Sequence, residues 1–385
     1  MATVIGAATV PIWIYLLFFR GGFWRLPYRP APTAANVPTR SVVAVIPARD
    51  EAAVIGRSVA SLLGQDHRGG LHIVVVDDQS TDGTAELARA TAAARASDQL
   101  TIWSGRPVPS GWTGKLWAVR QGVEVARSLQ PDYLLLTDAD IVHGAGNLRE
   151  LVSRSEIEGY DLVSLMVKLN CGSFWEKLLI PAFVFYFFKL YPPRWVADPS
   201  RRTSAAAGGC MLIRAAALDR IGGIDSIRHE IIDDCALARR VKSVGKVWLG
   251  PSTHTRSVRE YRSWRTIWDM IVRSAFAQLG YSASMLVLTI LMLAVTYLAP
   301  PLMLLSRQPA VMLCGAVAWL GMSVAFLPTL RAYNAPRLIA LLLPLIAIFY
   351  AAATVASAVL FWRGRGGYWK GRFQAAAPVG RPPSG

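Results

Sequence analysis

The sequence predicts an α/β domain with a mostly parallel sheet, joined to membrane-spanning helices. Short apolar strands alternate with helical patterns between residues 41 and 140, the order that builds a parallel sheet covered by helices. The 385 residues are 53% hydrophobic and 17% charged, which is too apolar for an ordinary soluble domain. The stretches 274–306, 308–330 and 338–362 carry no charge, and each exceeds the roughly 20 residues that cross a bilayer.

The N-terminus predicts an uncleaved membrane anchor over residues 1–24. It reads "MATVIGAATVPIWIYLLFF" and meets its first charge at Arg20, without the basic start and small-residue cleavage site of a secretory signal. Proline-rich residues 25–40 predict a linker. Because "RGGFWRLPYR" follows the anchor directly, the positive-inside rule places this end on the cytoplasmic side.

Four strands and three helices are predicted before residue 141. The strands are apolar, β-branched runs, and the helices carry apolar residues at helical spacing. In chain order they are a strand at 41–48, a helix at 51–65, a strand at 71–78, a helix at 81–96, a strand at 100–103, a helix that begins near Lys115 and the strand "YLLLTDAD" at 133–140. Polar residues follow three of these strands, and ligands of parallel sheets bind beyond the carboxyl ends of the strands. A ligand site is therefore expected there.

Two aspartates end the last of these strands. Alternate strand residues face the same side, so Asp138 and Asp140 can converge. Two such carboxylates can hold Mg²⁺ or Mn²⁺ beside phosphate groups. The alternative is a turn in which Asp140 caps a helix that begins near Gly144. Taken alone, the pattern favours the turn.

Other candidate residues have an ordinary and a functional interpretation. Asp77 and Asp78 end a strand and can bond a ribose, but "PARDEAAVIG" lacks the glycines of a nicotinamide-dinucleotide site. Lys115 lies in "WTGKLW", which is no P-loop but can neutralise a phosphate. Asp233 and Asp234 precede a helix, where they either cap it or supply a general base.

Three further segments stay ambiguous at this stage. Residues 173–191 predict either a core helix or a helix in the membrane interface. The glycines of "AAAGGCMLIR" at 205–214 predict a tight turn or a ligand contact. "YRSWRTIWDMIVR" at 261–273 predicts an interfacial belt or an arginine clamp on phosphates.

The charge content indicates the class of binding partner, and the cysteine content indicates the cellular environment. The net charge is +16, and arginines beside membrane segments favour anionic lipid headgroups over nucleic acid, for which no module appears. The four cysteines show no metal-ligand spacing, which favours a reduced, cytosolic environment.

The order of the motifs is more specific than any one of them. "VVAVIPARDEAAVIGRSVASLL", "IVVVDDQSTDGTAELA", "GWTGKLWAVRQG", "LLLTDAD", "GGCMLIRAAALDRIGG" and "DDCALARRV" together resemble the family 2 glycosyltransferases, inverting enzymes with a GT-A fold. The resemblance covers about residues 41–255. The chain is most similar to the hopanoid-biosynthesis-associated glycosyltransferases of bacteria and, more distantly, to ceramide glucosyltransferases.

The resemblance implies a role for each matching residue. Asp234 is the expected base, and Asp233 stands where the family has glutamate. The expected donor-binding residues are Pro47, Arg49, Glu51, Asp77, Asp78, Lys115 and Asp138, with Asp138 and Asp140 holding the donor through Mg²⁺ or Mn²⁺. The expected acceptor region is Gly208, Gly209, Cys210 and Met211, together with Asp233.

One family motif is incomplete. The processive and ceramide branches carry Q/R-x-x-R-W after the base, whereas the nearest strings here are "RSWR" and "RTIW". Arg262, Arg265 and Trp268 are therefore expected at a phosphate or at the membrane interface, and synthesis of a long polymer is not expected.

The expected organisation follows from these parts. It comprises an anchor at 1–24, a linker at 25–40, a catalytic domain at 41–255, an interfacial segment at 256–275, three transmembrane helices within 276–362 and a basic tail at 363–385. The expected protein is a multi-pass enzyme of the bacterial inner membrane, with a cytoplasmic catalytic domain that moves a sugar from a nucleotide-diphosphate donor to a hopanoid or related lipid. The alternatives are a polyprenyl-phosphate sugar synthase and a non-catalytic membrane scaffold.

Overall fold

The chain divides into two units, each described by itself. The structure is a computed structural model that describes residues 2–26, 28–32 and 38–375. The sheet unit comprises Pro27–Asn170 and Trp195–Arg259, and the helical unit comprises Met1–Leu26, Cys171–Arg194 and Glu260–Gly385. The predicted linker at 25–40 and tail at 363–385 lie partly outside the described residues.

Helices and strands are numbered along the whole chain. The helical unit contains α1 (Ala2–Ile14), α6 (Phe174–Leu190), α10 (Trp264–Val272), α11 (Ala275–Gln278), α12 (Ala283–Leu293), α13 (Ala299–Met303), α14 (Pro309–Ala332), α15 (Leu343–Trp362), β9 (Gly366–Trp369) and β10 (Arg372–Ala375). The sheet unit contains β1 (Val42–Ala48), α2 (Ala52–Leu63), β2 (Leu71–Asp77), α3 (Thr84–Ala93), β3 (Leu100–Ser104), α4 (Gly114–Arg127), β4 (Tyr133–Thr137), β5 (Ile141–Val142), α5 (Asn147–Glu158), β6 (Leu162–Lys168), β7 (Cys210–Arg214), α8 (Ala215–Arg220), α9 (Asp233–Lys242) and β8 (Val247–Ser257). Helix α7 (Pro193–Ala197) has its first two residues in the helical unit and its other three in the sheet unit.

The sheet is mixed rather than mostly parallel. Its strand order is β3-β2-β1-β4-β7-β6-β8-β5. The first four strands pair in parallel, as the alternation of strand and helix predicts, and β6 pairs in parallel with β8. However, β7 is antiparallel to both β4 and β6, and β5 is antiparallel to β8. The regular alternation stops after β4, so the sequence pattern carried no signal for these reversed strands.

The centre of the sheet is buried on both faces. All seven residues of β1 are buried, which explains its continuous apolar sequence. Helix α4 covers β1 and β2 and approaches them closely at Gly122. A Cβ atom there would lie 2.4 Å from Val45 Cγ1 and 2.9 Å from Val76 Cγ2. Because α4 also carries Lys115, this close approach fixes a site residue relative to the strand ends.

Three helical segments of the helical unit are long and apolar enough to cross a membrane. They are Ala283–Met303, Pro309–Ala332 and Arg337–Trp362. Large apolar side chains on them are exposed, Leu313 and Leu320 to 65% each, as expected of surfaces that face lipid. Ala8–Phe19 is a shorter apolar helix, so the predicted N-terminal span stays a prediction.

Helix α6 accounts for the aromatic segment at 173–191. Ser173 and Glu176 form a capping box at its start. The Glu176 carboxylate also accepts hydrogen bonds from the backbone N–H groups of Gly172 (2.9 Å) and Tyr261 (2.6 Å). Within the helical unit, α6 packs against α10, α14 and α15. The segment is therefore an integral helix of that unit.

The close approach of α4 gives a stability prediction. Gly122→Ala is expected to lower the stability of the sheet unit by about 1–3 kcal/mol, because the added methyl group overlaps Val45 and Val76. The measurement is thermal unfolding of the detergent-solubilised protein. Gly64→Ala is the control, since its nearest neighbour atom would lie at 3.5 Å. Equal unfolding temperatures for the two variants would contradict the packing argument.

Candidate active site

Lys115 links two of the acids singled out in the sequence. It lies in the first turn of α4, whose N-terminus is capped by Thr113: the Thr113 hydroxyl accepts a hydrogen bond from the Leu116 N–H. The Lys115 Nζ atom is 2.9 Å from Asp138 Oδ1 and 3.1 Å from Asp233 Oδ2. Asp138 directly follows β4 and Asp233 begins α9, so one cation joins two distant regions of the chain.

The same acids keep Lys115 charged. Burial by itself lowers the pKa of Lys115, but the attraction of Asp138 and Asp233 outweighs burial and raises the pKa above its usual value. Lys115 therefore supplies a fixed positive charge at the carboxyl end of β4. Lys115 can face a phosphate, but its pairs with Asp138 and Asp233 leave this group of charges net negative.

Asp234 is held beside this group by backbone donors. The Gly208 N–H donates to Asp234 Oδ2 (2.8 Å), and the Cys235 N–H donates to Oδ1 (2.7 Å). Burial and the neighbouring charge of Asp233 raise the pKa of Asp234 to about 6, although Lys115 opposes the shift. A carboxyl group with this pKa is ionised at neutral pH yet takes up a proton readily, which suits a general base.

Asp140 contacts a different cation from Asp138. Its side chain is only 8% exposed, and its Oδ2 atom accepts a hydrogen bond from the Ser257 hydroxyl. Arg259 Nε lies 3.5 Å from the same oxygen, and Arg259 Nη2 lies 2.7 Å from Glu51 Oε1. Lys115 thus balances Asp138, and Arg259 balances both Asp140 and Glu51.

Asp138 and Asp140 do not by themselves complete a metal site, so a divalent cation would need other ligands. Among the residues that the structure describes, no group of three or more His, Cys, Asp or Glu side chains could hold a metal ion. The predicted strand 133–140 ends at Thr137, so Asp138 directly follows β4 and Asp140 lies in the turn after it. Oxygen donors from these two carboxylates suit Mg²⁺ or Mn²⁺ when water and donor phosphates fill the remaining positions.

The predicted nucleotide residues divide into buried and accessible ones. Asp78 is 1% exposed, and Arg49 Nη1 donates to its backbone oxygen (2.6 Å) and lies 3.8 Å from its carboxylate. Asp77 is partly exposed at the end of β2, and its Oδ1 accepts a hydrogen bond from the Ser80 N–H (3.2 Å). Of the two acids, Asp77 is therefore better placed to meet a ligand.

The cavity beside the acids is small. Its volume is about 10 Å³, room for roughly one water molecule. The predicted residues in its lining are Pro47, Lys115, Asp138, Gly208, Met211 and Asp233. A larger cavity of about 300 Å³ lies elsewhere in the sheet unit, between α5 and β8. This cavity by itself is too small for a nucleotide sugar.

Part of the predicted acceptor region faces the core. Gly208 and Met211 line the small cavity, whereas Cys210 is fully buried and burial raises the pKa of its thiol to about 12. A Cβ atom on Gly209 would lie 3.0 Å from Val167, so this glycine serves close packing. Of the four residues of "GGCM", only Gly208 and Met211 thus border the small cavity.

Arg262, Arg265 and Trp268 lie in the helical unit. Arg262 is 84% exposed and pairs with Glu260 at 2.6 Å. The Arg265 guanidinium lies 5.5 Å from the centre of the Trp264 ring, and Trp268 packs against Phe349. Their expected roles at a phosphate or at the membrane interface stay predictions.

Sequence reasoning missed Ser257 and Arg259. They lie 117 and 119 positions after Asp140, and β5 brings them close by pairing with the end of β8. It also missed a buried hydrogen-bonded chain behind the acids. His143 contacts Thr137 Oγ1 (3.0 Å) and Asn147 Nδ2 (3.0 Å), and Thr137 Oγ1 donates to the Gly209 carbonyl (2.7 Å). A strand pairing of two residues leaves no periodic signal that could have revealed these contacts.

The family of the chain follows from a direct comparison. A family model described as "Glycosyltransferase like family 2" matches residues 38–277, which is more than half of the chain. The chain therefore belongs to the family 2 glycosyltransferases, and its sheet unit has their GT-A fold. The match spans the acids at the ends of β2 and β4 and at the start of α9. A search of curated proteins finds no match.

Solved structures resemble the fold at low sequence identity. Mannosyltransferase PcManGT from Pyrobaculum calidifontis, in complex with GDP-Man and Mn²⁺, has a TM-score of 0.57 at 19% identity, covering 94% of this chain and 98% of its own. Mannosyl-3-phosphoglycerate synthase from Rubrobacter xylanophilus gives 0.38 at 17% identity, covering 71% and 85%. S. aureus TarS 1-349 in complex with UDP gives 0.40 at 14% identity, covering 78% and 90%.

The pKa of Asp234 predicts how stability changes with pH. Its folded pKa of about 6 lies above the ordinary aspartate value, so the folded state binds the proton more tightly than the unfolded state. The resulting stabilisation is complete below pH about 4 and is lost as the pH rises through about 6. Wild type should therefore lose about 2 kcal/mol relative to Asp234→Asn between these values.

Thermal unfolding of both proteins across this pH range makes the measurement. Asp225→Asn is the matched control, because Asp225 is exposed and pairs with Arg120 at the surface. Parallel curves for wild type and Asp234→Asn would show that the folded protein does not raise this pKa.

Proposed function

We propose that the protein is an inverting glycosyltransferase that moves a sugar from a nucleoside-diphosphate donor to a membrane lipid. The observation that carries the proposal is the contact set of Lys115, which joins Asp138 to the first turn of α9, where Asp234 lies. Asp138 as the acid assigned to the sugar donor, Lys115 as the cation for phosphate and Asp234 as the base thus lie within one group of contacts. Transfer from an activated sugar to a hydroxyl group needs these three functions together.

The donor's diphosphate is assigned to the end of β4. Lys115 would face it with a positive charge, and Asp138 and Asp140 would hold a divalent cation beside it. When bound, Mg²⁺ or Mn²⁺ offsets the negative charge that develops on the departing diphosphate. The nucleotide is bordered by Pro47, Arg49, Glu51 and Asp77. Asp78 holds Arg49 in place, because its backbone oxygen accepts a hydrogen bond from Arg49 Nη1. The solved mannosyltransferase with GDP-Man and Mn²⁺ supports a donor and a cation of these classes.

Asp234 is assigned as the base. Backbone N–H groups of Gly208 and Cys235 hold its two oxygens, so the carboxylate is oriented before the acceptor arrives. Asp234 removes the proton from the acceptor hydroxyl, whose oxygen attacks the anomeric carbon from the side opposite the diphosphate. Asp233 stays paired with Lys115 and keeps that cation near the leaving group. A single displacement of this kind inverts the configuration at the anomeric carbon.

The acceptor is proposed to be a lipid. Three helices that can cross a membrane, together with an apolar N-terminal helix assigned as a further span, would hold the enzyme where lipid headgroups meet water. The resemblance of the sequence to the hopanoid-associated branch makes a hopanoid or a related polycyclic lipid the acceptor of choice. The corresponding location is the bacterial inner membrane, with the catalytic domain on the cytoplasmic side.

The base assignment gives a test that separates this function from its alternatives. Asp234→Asn should bind a nucleotide sugar as tightly as wild type but should lose transfer by at least about 100-fold, because amide nitrogen and oxygen cannot take up the proton. Calorimetry measures donor binding, and product formation from radiolabelled donor measures transfer. Asp225→Asn serves as the charge control, since it removes an exposed acid of the same unit.

Assays with two classes of acceptor lipid separate the proposed function from the polyprenyl-phosphate alternative. Extracted polycyclic lipids with a free hydroxyl group and polyprenyl phosphate are supplied in parallel. Transfer that survives Asp234→Asn only with polyprenyl phosphate would favour the polyprenyl-phosphate synthase, because its acceptor is already ionised. Wild-type protein that binds no nucleotide sugar would instead support the scaffold.

A further inference from the structure

Arg259 lies outside the predicted site but contacts two of its acids. It follows β8, and its guanidinium spans two buried acids: Nε lies 3.5 Å from Asp140 Oδ2, and Nη2 lies 2.7 Å from Glu51 Oε1. Asp140 is 8% exposed and Glu51 is 9% exposed, whereas the Arg259 side chain is 35% exposed. One partly exposed cation thus bridges two buried acids.

The two acids need such a partner. Carboxylates that are withdrawn from water and lie near each other are costly unless a positive charge compensates them. The Ser257 hydroxyl holds Asp140 Oδ2 in place, and the backbone N–H of Glu51 donates to Thr84 Oγ1 (2.8 Å). The Asp140 carboxylate is therefore held independently of Arg259, whereas for Glu51 the bond to Thr84 fixes only the backbone.

Asp140 is also the carboxylate that the proposed function gives to the divalent cation. A guanidinium and a divalent cation cannot both contact the same carboxylate oxygen at full strength. Arg259 is the cation that would compete with the metal ion at Asp140, and its side chain is 35% exposed.

We propose that Arg259 is the charge substitute for the divalent cation in the metal-free protein and turns to the donor's diphosphate when donor and cation bind. The inference rests on the proposed function. Its consequence is that the cation binds weakly alone, because it must compete with Arg259 for the charge of Asp140. A diphosphate offers the displaced guanidinium a bidentate partner, so the diphosphate and the cation strengthen each other's binding.

Calorimetric titration of the full-length protein in detergent tests this competition. Mn²⁺ is titrated alone and then in the presence of GDP or of UDP. Arg259→Gln should bind Mn²⁺ alone about ten-fold more tightly than wild type, because no guanidinium competes. Added nucleotide should then improve Mn²⁺ affinity less in Arg259→Gln than in wild type. Arg259→Lys should lie between the two, since a point charge cannot bridge both acids.

A stability measurement accompanies the titration. Metal-free Arg259→Gln should unfold at a lower temperature than wild type. Mn²⁺ should remove this difference, because the cation then compensates Asp140 and Glu51. Arg256→Gln is the matched control: Arg256 is exposed near the end of β8, the strand that Arg259 follows, and its loss should leave Mn²⁺ affinity unchanged.

The possible results separate the inference from the function on which it rests. If wild type binds Mn²⁺ together with a nucleotide, and Arg259→Gln binds Mn²⁺ alone no more tightly than wild type, Arg259 is only a structural ion pair and the inference is wrong. If neither protein binds Mn²⁺ with GDP or with UDP, the proposed function itself fails.

Discussion

Charge compensation at the carboxyl ends of β2, β1 and β4 is the constraint on which the site depends. Acids are concentrated there in a chain that has only 25 Asp and Glu residues against 41 Lys and Arg. Buried carboxylates are tolerable only when cations or backbone donors satisfy them. Lys115 satisfies Asp138 and Asp233, Arg259 satisfies Asp140 and Glu51, and backbone N–H groups satisfy Asp234.

This arrangement connects the fold to the proposed chemistry. The strands are apolar because both faces of the sheet are covered, so charged residues are confined to the strand ends and the loops that follow them. Close packing at Gly122 sets α4 against β1 and β2, and the cap at Thr113 starts the helix where Lys115 reaches Asp138. The cations that stabilise the acids before a donor arrives are the groups that a diphosphate would recruit. One set of charges can therefore serve both folding and binding.

The part of the fold with regular alternation could be predicted from the sequence, and the rest could not. Strands β1 to β4 and helices α2 to α4 lie where apolar periodicity placed them, because each unit of strand and helix is local in the chain. The reversed strands β7 and β5 depend on pairing between distant segments, which leaves no local pattern. For the same reason the acids of the site were visible in the sequence, whereas Ser257 and Arg259, their partners, were not.

The central claim is that Lys115 and the acids around it form the binding site for the donor's diphosphate. The most direct test is calorimetric binding of GDP and UDP, with the matching free nucleosides, to wild type and to Lys115→Gln. The account predicts that the variant loses at least about ten-fold in affinity for the diphosphate that binds, while affinity for the nucleoside stays the same. Equal diphosphate affinity in the two proteins would contradict it.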